Sequence, residues 1–423
     1  MNTYTSFSCL LLLITLSFLS CKDKTEAIYM ANTPIYQDFE SFRNTDFSLT
    51  PAREISQAGK LWVKDNYLFV VDLLSGVHFF DNTNPSNPIN LGFLEIYACS
   101  DIAVSGNQLY ADSYHDLLTF NISDIQNPQL HCRSLDVFDF KAMQGLSGYD
   151  TSLPATGVIP EKGVILGWKQ EEITEEIEGY QGFSDVLIFD SAFSESGGSN
   201  PSLNTTSVGG SMARFTITEN HLYVLDQWTL TTFNNSGNCL EETSTVSINR
   251  SGETLFPAEG NLFIGTTTGM LIYNLNNPGT PAFMSEFSHA VSCDPVVISG
   301  DKAYVTLRTG NRCQGDLNEL VIINISDLYN PIEIATYDMT NPHGLGVDDS
   351  TLFLCDGSAG LKVFNVEDPL NLGNNLISHF QDIQAYDVIP LENRLIMSAK
   401  EGIYQYDYSD LNSIIQLSLI AVQ

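Results

Sequence analysis

One pattern of short apolar runs recurs along this chain, and it constrains the fold more than any other feature. Eight copies of a single run can be aligned, at residues 68–72, 109–112, 164–167, 222–226, 262–265, 303–306, 352–356 and 395–398. Each is followed by a second run ending near Asp or Asn, at 77–81, 117–121, 186–190, 230–234, 270–274, 320–324, 361–365 and 403–407. Pro-bearing turns follow most of these, as at Asn84-Pro85, Asn127-Pro128, Asn277-Pro278 and Asn330-Pro331. Short apolar runs bounded by turn residues are the signature of strands, and Asn, Asp and Pro suit tight turns. The unit around His343 reads as three such strands with a weaker fourth. Four strands per unit, repeating about every 40 residues, give the blades of a β-propeller. The expected fold is therefore all-β, a β-propeller of four-stranded antiparallel blades. The count is eight blades, with seven as the alternative because the third copy is degenerate and interrupted.

The first twenty residues carry no charge and contain an apolar core at 10–19 that is too short to span a bilayer. This reads as a signal peptide over residues 1–20. It ends at Phe18-Leu19-Ser20-Cys21, which resembles a bacterial lipobox with Cys21 as the lipidated first residue of the mature chain. A plain secretory signal that contains Cys21 is the alternative. Residues 21–53 are polar with no sustained period and read as a lipid-anchored tether, with 52–55 able to dock as an extra strand. Residues 54–423 are expected to form a single propeller domain with insertions at 141–160 and 169–183. The second insertion, KQEEITEEIEGYQGF, spaces Ile173 and Ile177 so that a short amphipathic helix is expected there.

With 18 basic and 51 acidic residues the formal charge is −33, which repels phosphate backbones and argues against a nucleic-acid partner. Such a surface is compatible with a bound divalent cation, calcium being the natural choice, although no EF-hand pattern is present. Export implies an oxidising compartment, and Cys99, Cys132, Cys239, Cys293, Cys313 and Cys355 remain once Cys9 and Cys21 are set aside. In a blade, the start of the inner strand and the end of the second strand share one face. Cys293 opens an inner strand and Cys313 follows a second strand, so these two are expected to pair, and the remaining four are left unassigned.

Leu320-Val321-Ile322-Ile323-Asn324 with Ile325-Ser326-Asp327 resembles the core of the LVIVD repeat. GKLWVKDNYLFVVD from Gly59, DIAVSGNQLYADSYHDLLTF from Asp101, CDPVVISGDKAYVTLRTGNRC from Cys293 and NPHGLGVDDSTLFLCDG from Asn341 carry the same likeness. The mature chain resembles the LVIVD-repeat lipoproteins of the Bacteroidota, and Lys22-Asp23-Lys24 resembles their surface-export tags. The resemblance implies a propeller on an exported outer-membrane lipoprotein, facing the periplasm or the cell surface. It brings no activity with it.

The same strand geometry gathers Asp101, Asp294, His343 and Asp387 from inner strands at one channel mouth. Asp72, Asp112, His115, Asp226, Arg308 and Asp356 arrive there from second strands. Aspartates that recur at one repeat position are expected to accept backbone N–H groups of neighbouring blades; His343 occurs once. No nucleophile elbow, P-loop, dinucleotide fingerprint, HExxH or CxxC is present. The preferred function is a noncatalytic binding or scaffold propeller on the outer membrane that recognises a protein or glycan. The alternative is a metal-assisted hydrolase or lyase at the mouth, built on those carboxylates and His343.

Overall fold

The computed structural model describes residues 25–138, 148–177, 207–209, 213–288, 295–308 and 317–422. The signal peptide, Cys21, Cys293, Asp294, Cys313, the run 186–190 and residues 178–183 of the second insertion lie outside them. Two units are formed, one from Met1–Asn44 with Ala142–Ser191 and the other from Thr45–Lys141 with Ala192–Gln423.

The larger unit is a ring of seven four-stranded antiparallel blades, at residues 58–95, 102–134, 215–247, 252–288, 296–338, 345–380 and 385–421. Seven, not eight, is the correct count. The copy at 164–167 is no blade. It opens one continuous strand, Val164–Ile177, which belongs to the smaller unit and pairs antiparallel with Thr25–Gln37, from Thr25 opposite Ile177 to Gln37 opposite Val164. The helix expected near 169–183 is likewise strand as far as Ile177. The physical reason is that Ile173 and Ile177 share a face at helical spacing and also at the period of two, so the pattern does not choose. Cross-strand pairing with the β-rich Thr25–Gln37, which lies within the stretch expected as a tether, decides the conformation. In the same unit Asn32 is buried and ties down the 150–153 turn, donating to the carbonyls of Asp150 (2.8 Å) and Leu153 (3.0 Å).

Each blade presents its second and third strands as nearly continuous buried runs, as in Leu68, Phe69, Val70 and Val71 or Leu320, Val321, Ile322 and Ile323. Strands covered on both faces read this way because neighbouring blades stack on each side. The first and last blades close the ring without exchanging a strand. Ile415–Ala421 is the outer strand of blade 7, and Ile55 forms a single parallel bridge to Val422. Leu61, Val63 and Val70 of blade 1 pack with Ile389, Ile396 and Ile403 of blade 7. The buried amides of Asn82 and Gln405 bond reciprocally at 2.9 and 2.8 Å across the same seam.

Blades 2 and 3 are neighbours in the ring, yet some 80 residues of chain separate them between Ser134 and Phe215. A disulfide bridges the gap. Cys132, on the outer strand of blade 2, pairs with Cys239, in the turn after the third strand of blade 3, with Cα atoms 5.4 Å apart. Part of the intervening chain returns as the short strand Ser207–Gly209, which pairs with Trp62–Lys64 on the inner strand of blade 1.

Candidate binding site at the channel mouth

Inner strands begin at the mouth, and their register defines one equivalent position per blade. It is the residue directly before the one that pairs with the third position of the second-strand run. Around the ring this position holds Lys60, Asp101, Arg214, Thr254, Pro295, Gly344 and Asp387. Blades 7, 1, 2 and 3 thus supply Asp, Lys, Asp and Arg in succession, while blades 4, 5 and 6 supply uncharged residues. Half the ring is an arc of alternating charge.

Asp101 is fully buried, and its Oδ2 accepts the backbone N–H of Arg214 at 2.7 Å, which joins blade 2 to blade 3. The Arg214 guanidinium donates to Ser100 Oγ at 2.8 Å and lies 3.9 Å from Asp112. Burial raises the Asp101 carboxyl to about 6 despite the opposing pull of Lys60 and Arg214. Lys60 and Arg214 are partly exposed, whereas the two carboxylates of the arc are not. Desolvation lowers the Lys60 ammonium to about 8 against the attraction of Asp101 and Asp387.

Asp387 is the outlier of the arc. It is fully buried, and among the described residues its carboxylate oxygens receive only a poorly aligned contact from the Val388 backbone N–H. Burial drives its pKa well above the usual carboxylate range, with Lys60 pulling the other way. Its space comes from blade 6, where a Cβ on Gly344 would fall 1.9 Å from Asp387 Oδ1, so the equivalent position there has to be glycine. An unpaired buried charge costs several kcal/mol, and protonation or an external partner is the usual relief.

The other expected mouth residues divide. Asp72 accepts the N–H groups of Gln57 (2.8 Å) and Ser56 (3.3 Å). Asp356 accepts those of Thr340 (2.9 Å) and Asn341 (2.8 Å) and pairs with Lys362 Nζ at 2.6 Å. Asp112, one register step earlier, accepts from Ser100 (2.6 Å) and Asp101 (2.9 Å). The second-strand aspartates Asp72, Asp112 and Asp356 therefore bind the loop entering their own blade, whereas Asp101 makes the expected bond to a neighbouring blade. His343 lies one residue before the ring position. Its ring is buried, with Arg308 Nη1 3.0 Å and Asn341 Nδ2 3.2 Å from Nε2. Desolvation and then Arg308 hold the imidazole neutral, down to about 3. His115 is buried too, with Nδ1 3.1 Å from the Phe138 carbonyl.

The structure thus brings Asp101 and Asp387 together around Lys60 and leaves His343 with Arg308; Asp294 lies outside the described residues. Among the described residues no group of three His, Cys, Asp or Glu is gathered closely enough to hold a metal ion. Reading the sequence for acids and histidines passes over Lys60 and Arg214. Aligning the residue before each inner-strand run would have found them.

Residues 56–94, 97–135 and 292–339 match the LVIVD repeat, and these are blades 1, 2 and 5. The chain carries LVIVD repeats. No curated protein matches it significantly in sequence. Among solved structures it is similar to BamB from Moraxella catarrhalis, at 8% identity over 90% of this chain and 97% of that one (TM-score 0.49). It is also similar to Sqt1 from Saccharomyces cerevisiae, at 8% identity over 92% and 88% (TM-score 0.48). Hsv2 from Kluyveromyces lactis matches at 12% identity over 86% and 98% (TM-score 0.47). No activity is carried over from these structures to the LVIVD-repeat propeller.

Proposed function

We propose that this protein is an exported binding propeller, anchored to the outer membrane through Cys21, that recognises a protein or glycan at its channel mouth without catalysis. The observation that carries the reading is the Asp387 carboxyl. It is fully buried, makes no well-formed hydrogen bond to another element among the described residues, and lies within electrostatic reach of Lys60, which is partly exposed. Polar groups of a ligand, sugar hydroxyls or a peptide's amides, would bond to the partly exposed Lys60 and Arg214, while buried Asp387 acts on Lys60 through its charge. The recurring aspartates favour the noncatalytic side of the reading, since Asp72, Asp112 and Asp356 are held by their own blades. Anchoring and outer-membrane display rest on the signal sequence and on the lipobox resemblance at Cys21.

The test uses the exported chain and its Asp387→Asn and Lys60→Met variants on arrays of purified oligosaccharides and of purified outer-membrane proteins. Saturable binding to at least one probe, lost in both variants while their unfolding transitions stay cooperative, is expected. Binding kept by both variants, or calcium-dependent cleavage of a probe, overturns the reading. Separately, Cys21→Ser should abolish incorporation of labelled palmitate and release the protein from membranes.

A further inference from the structure

At the end of the propeller opposite the mouth, each inner strand turns into its second strand through a two-residue hairpin. Six of the seven turns place an exposed acid at the tip: Asp65, Glu219, Glu259, Asp301, Asp349 and Glu392. Few cations answer them there. Lys64 and Lys302 pair with the acids of their own turns, Asp65 and Asp301, and Arg394 is half-buried. Between blades 4 and 5 this acidic end opens into a cavity of about 410 Å³, a volume within the range of ligand-sized pockets. Phe263 of blade 4 and Ile298, Ile325 and Leu328 of blade 5 line its interior, and Glu259 and Asp301 stand at its edge.

The repeat shows a differently built boundary elsewhere in the ring. At the boundary between blades 6 and 7, Tyr408 follows the third strand of blade 7, and its hydroxyl reaches Asp348 of blade 6 at 2.6 Å and the carbonyl of Leu391. Strand register makes Ile325 the equivalent of Tyr408 and Ala258 the equivalent of Asp348. Two large polar groups bond across one boundary; two apolar groups, Ala258 and Ile325, line the cavity at the other. Tyr329, 66% exposed, follows Leu328 in the turn at the rim and adds an aromatic face suited to a cation.

We propose that the cavity between blades 4 and 5 is a docking site for a basic peptide segment of a partner protein, which seats one apolar side chain over Ile325 and against Leu328. Charge complementarity selects the occupant. An apolar floor ringed by acids favours a Leu- or Met-like anchor flanked by Lys or Arg and repels acidic segments. Because it lies at the end away from Asp387, this site stands or falls independently of the mouth. Occupation of both ends at once would make the propeller a bridge between two partners.

The probe is a fluorescein-labelled peptide with a central leucine flanked on each side by two basic residues, titrated with the whole exported chain and followed by anisotropy. Saturable binding is expected that weakens with added salt and falls at least tenfold in Ile325→Tyr. It should also fall in Glu259→Gln/Asp301→Asn, and a peptide with acidic flanks should not bind. Ala258→Asp/Ile325→Tyr transplants the filled boundary found between blades 6 and 7, so it is expected to fold and still to lose binding. Absence of saturable binding overturns the proposal. So does binding that survives both cavity-filling variants and responds only to charge, because that describes general attraction to an acidic surface.

Discussion

Two buried aspartates at the same mouth do opposite things. Asp356 in blade 6 is fully enclosed, and every donor around it is used: two backbone N–H groups of the entering loop and the Lys362 ammonium. Asp387 in blade 7 is just as enclosed, and among the described residues it has only a poorly aligned contact from the backbone N–H of its neighbour Val388. The first recurs, since Asp72 repeats its role in blade 1. The second shares its register position with Asp101 of blade 2, which is bonded to the Arg214 N–H of blade 3, and its equivalent in blade 6 is a glycine. Bonded carboxylates therefore fix the loops and blades around them, and Asp387, which among the described residues no loop or neighbouring blade holds, marks the position that a ligand can act on.

The largest effect expected is one that puts the holding devices in scale. Replacing Cys132 and Cys239 by Ser removes a cross-link between residues 107 apart. The chain-entropy relation gives about 5 kcal/mol for a loop of that size. Denaturant unfolding should show a loss of that order, with blades 2 and 3 the first to gain hydrogen-exchange lability; an unchanged midpoint would show that interblade packing alone holds this seam. Next, Asp356→Ala strands Lys362 and two loop amides, and should cost about 3 kcal/mol, within the range for breaking a buried ion pair. A loss below about 1 kcal/mol would erase the contrast with Asp387.

Smaller effects come from acid. The folded-state pKa of His343 is depressed to about 3, so its contribution is present above the unfolded value and is lost as pH falls from about 6.5 towards 3. Asp101 is shifted the other way, up to about 6, so its contribution is full below about 4 and is lost as pH rises to 6. In unfolding measurements between pH 4 and 6.5, His343→Gln should flatten the acid-side decline and Asp101→Asn should steepen it. Equal slopes in both variants would contradict the burial that sets these shifts.

Most of the blade pattern was legible because two covered faces force continuous apolar runs, which the eye aligns readily. Residues 164–167 mimic such a run, since a strand of a two-stranded ribbon can bury Val164 and Ile165 as a blade does. What separates them is pairing with Thr25–Gln37, a long-range contact that no local period encodes. At the mouth, Asp101 and Asp387 could be singled out because strand topology sends inner-strand starts to one end. Lys60 and Arg214 were readable from the same alignment but not from a search for acids. The Cys132–Cys239 bridge needed the ring order, which places Cys239 beside a strand 107 residues earlier. The cavity at Ile325 needed the comparison with Tyr408, whose hydroxyl bonds exist only once blades 6 and 7 are stacked.

The most direct test of the division between holding and binding carboxylates is the unfolding free energy of Asp387→Asn at pH 7 against the unaltered chain. A buried carboxylate with so little hydrogen bonding opposes folding, so the neutral isostere should leave the protein equally stable or more so. A loss of 2 kcal/mol or more would show that Asp387 is a structural partner of Lys60, and would contradict its assignment as the position the fold keeps for a ligand.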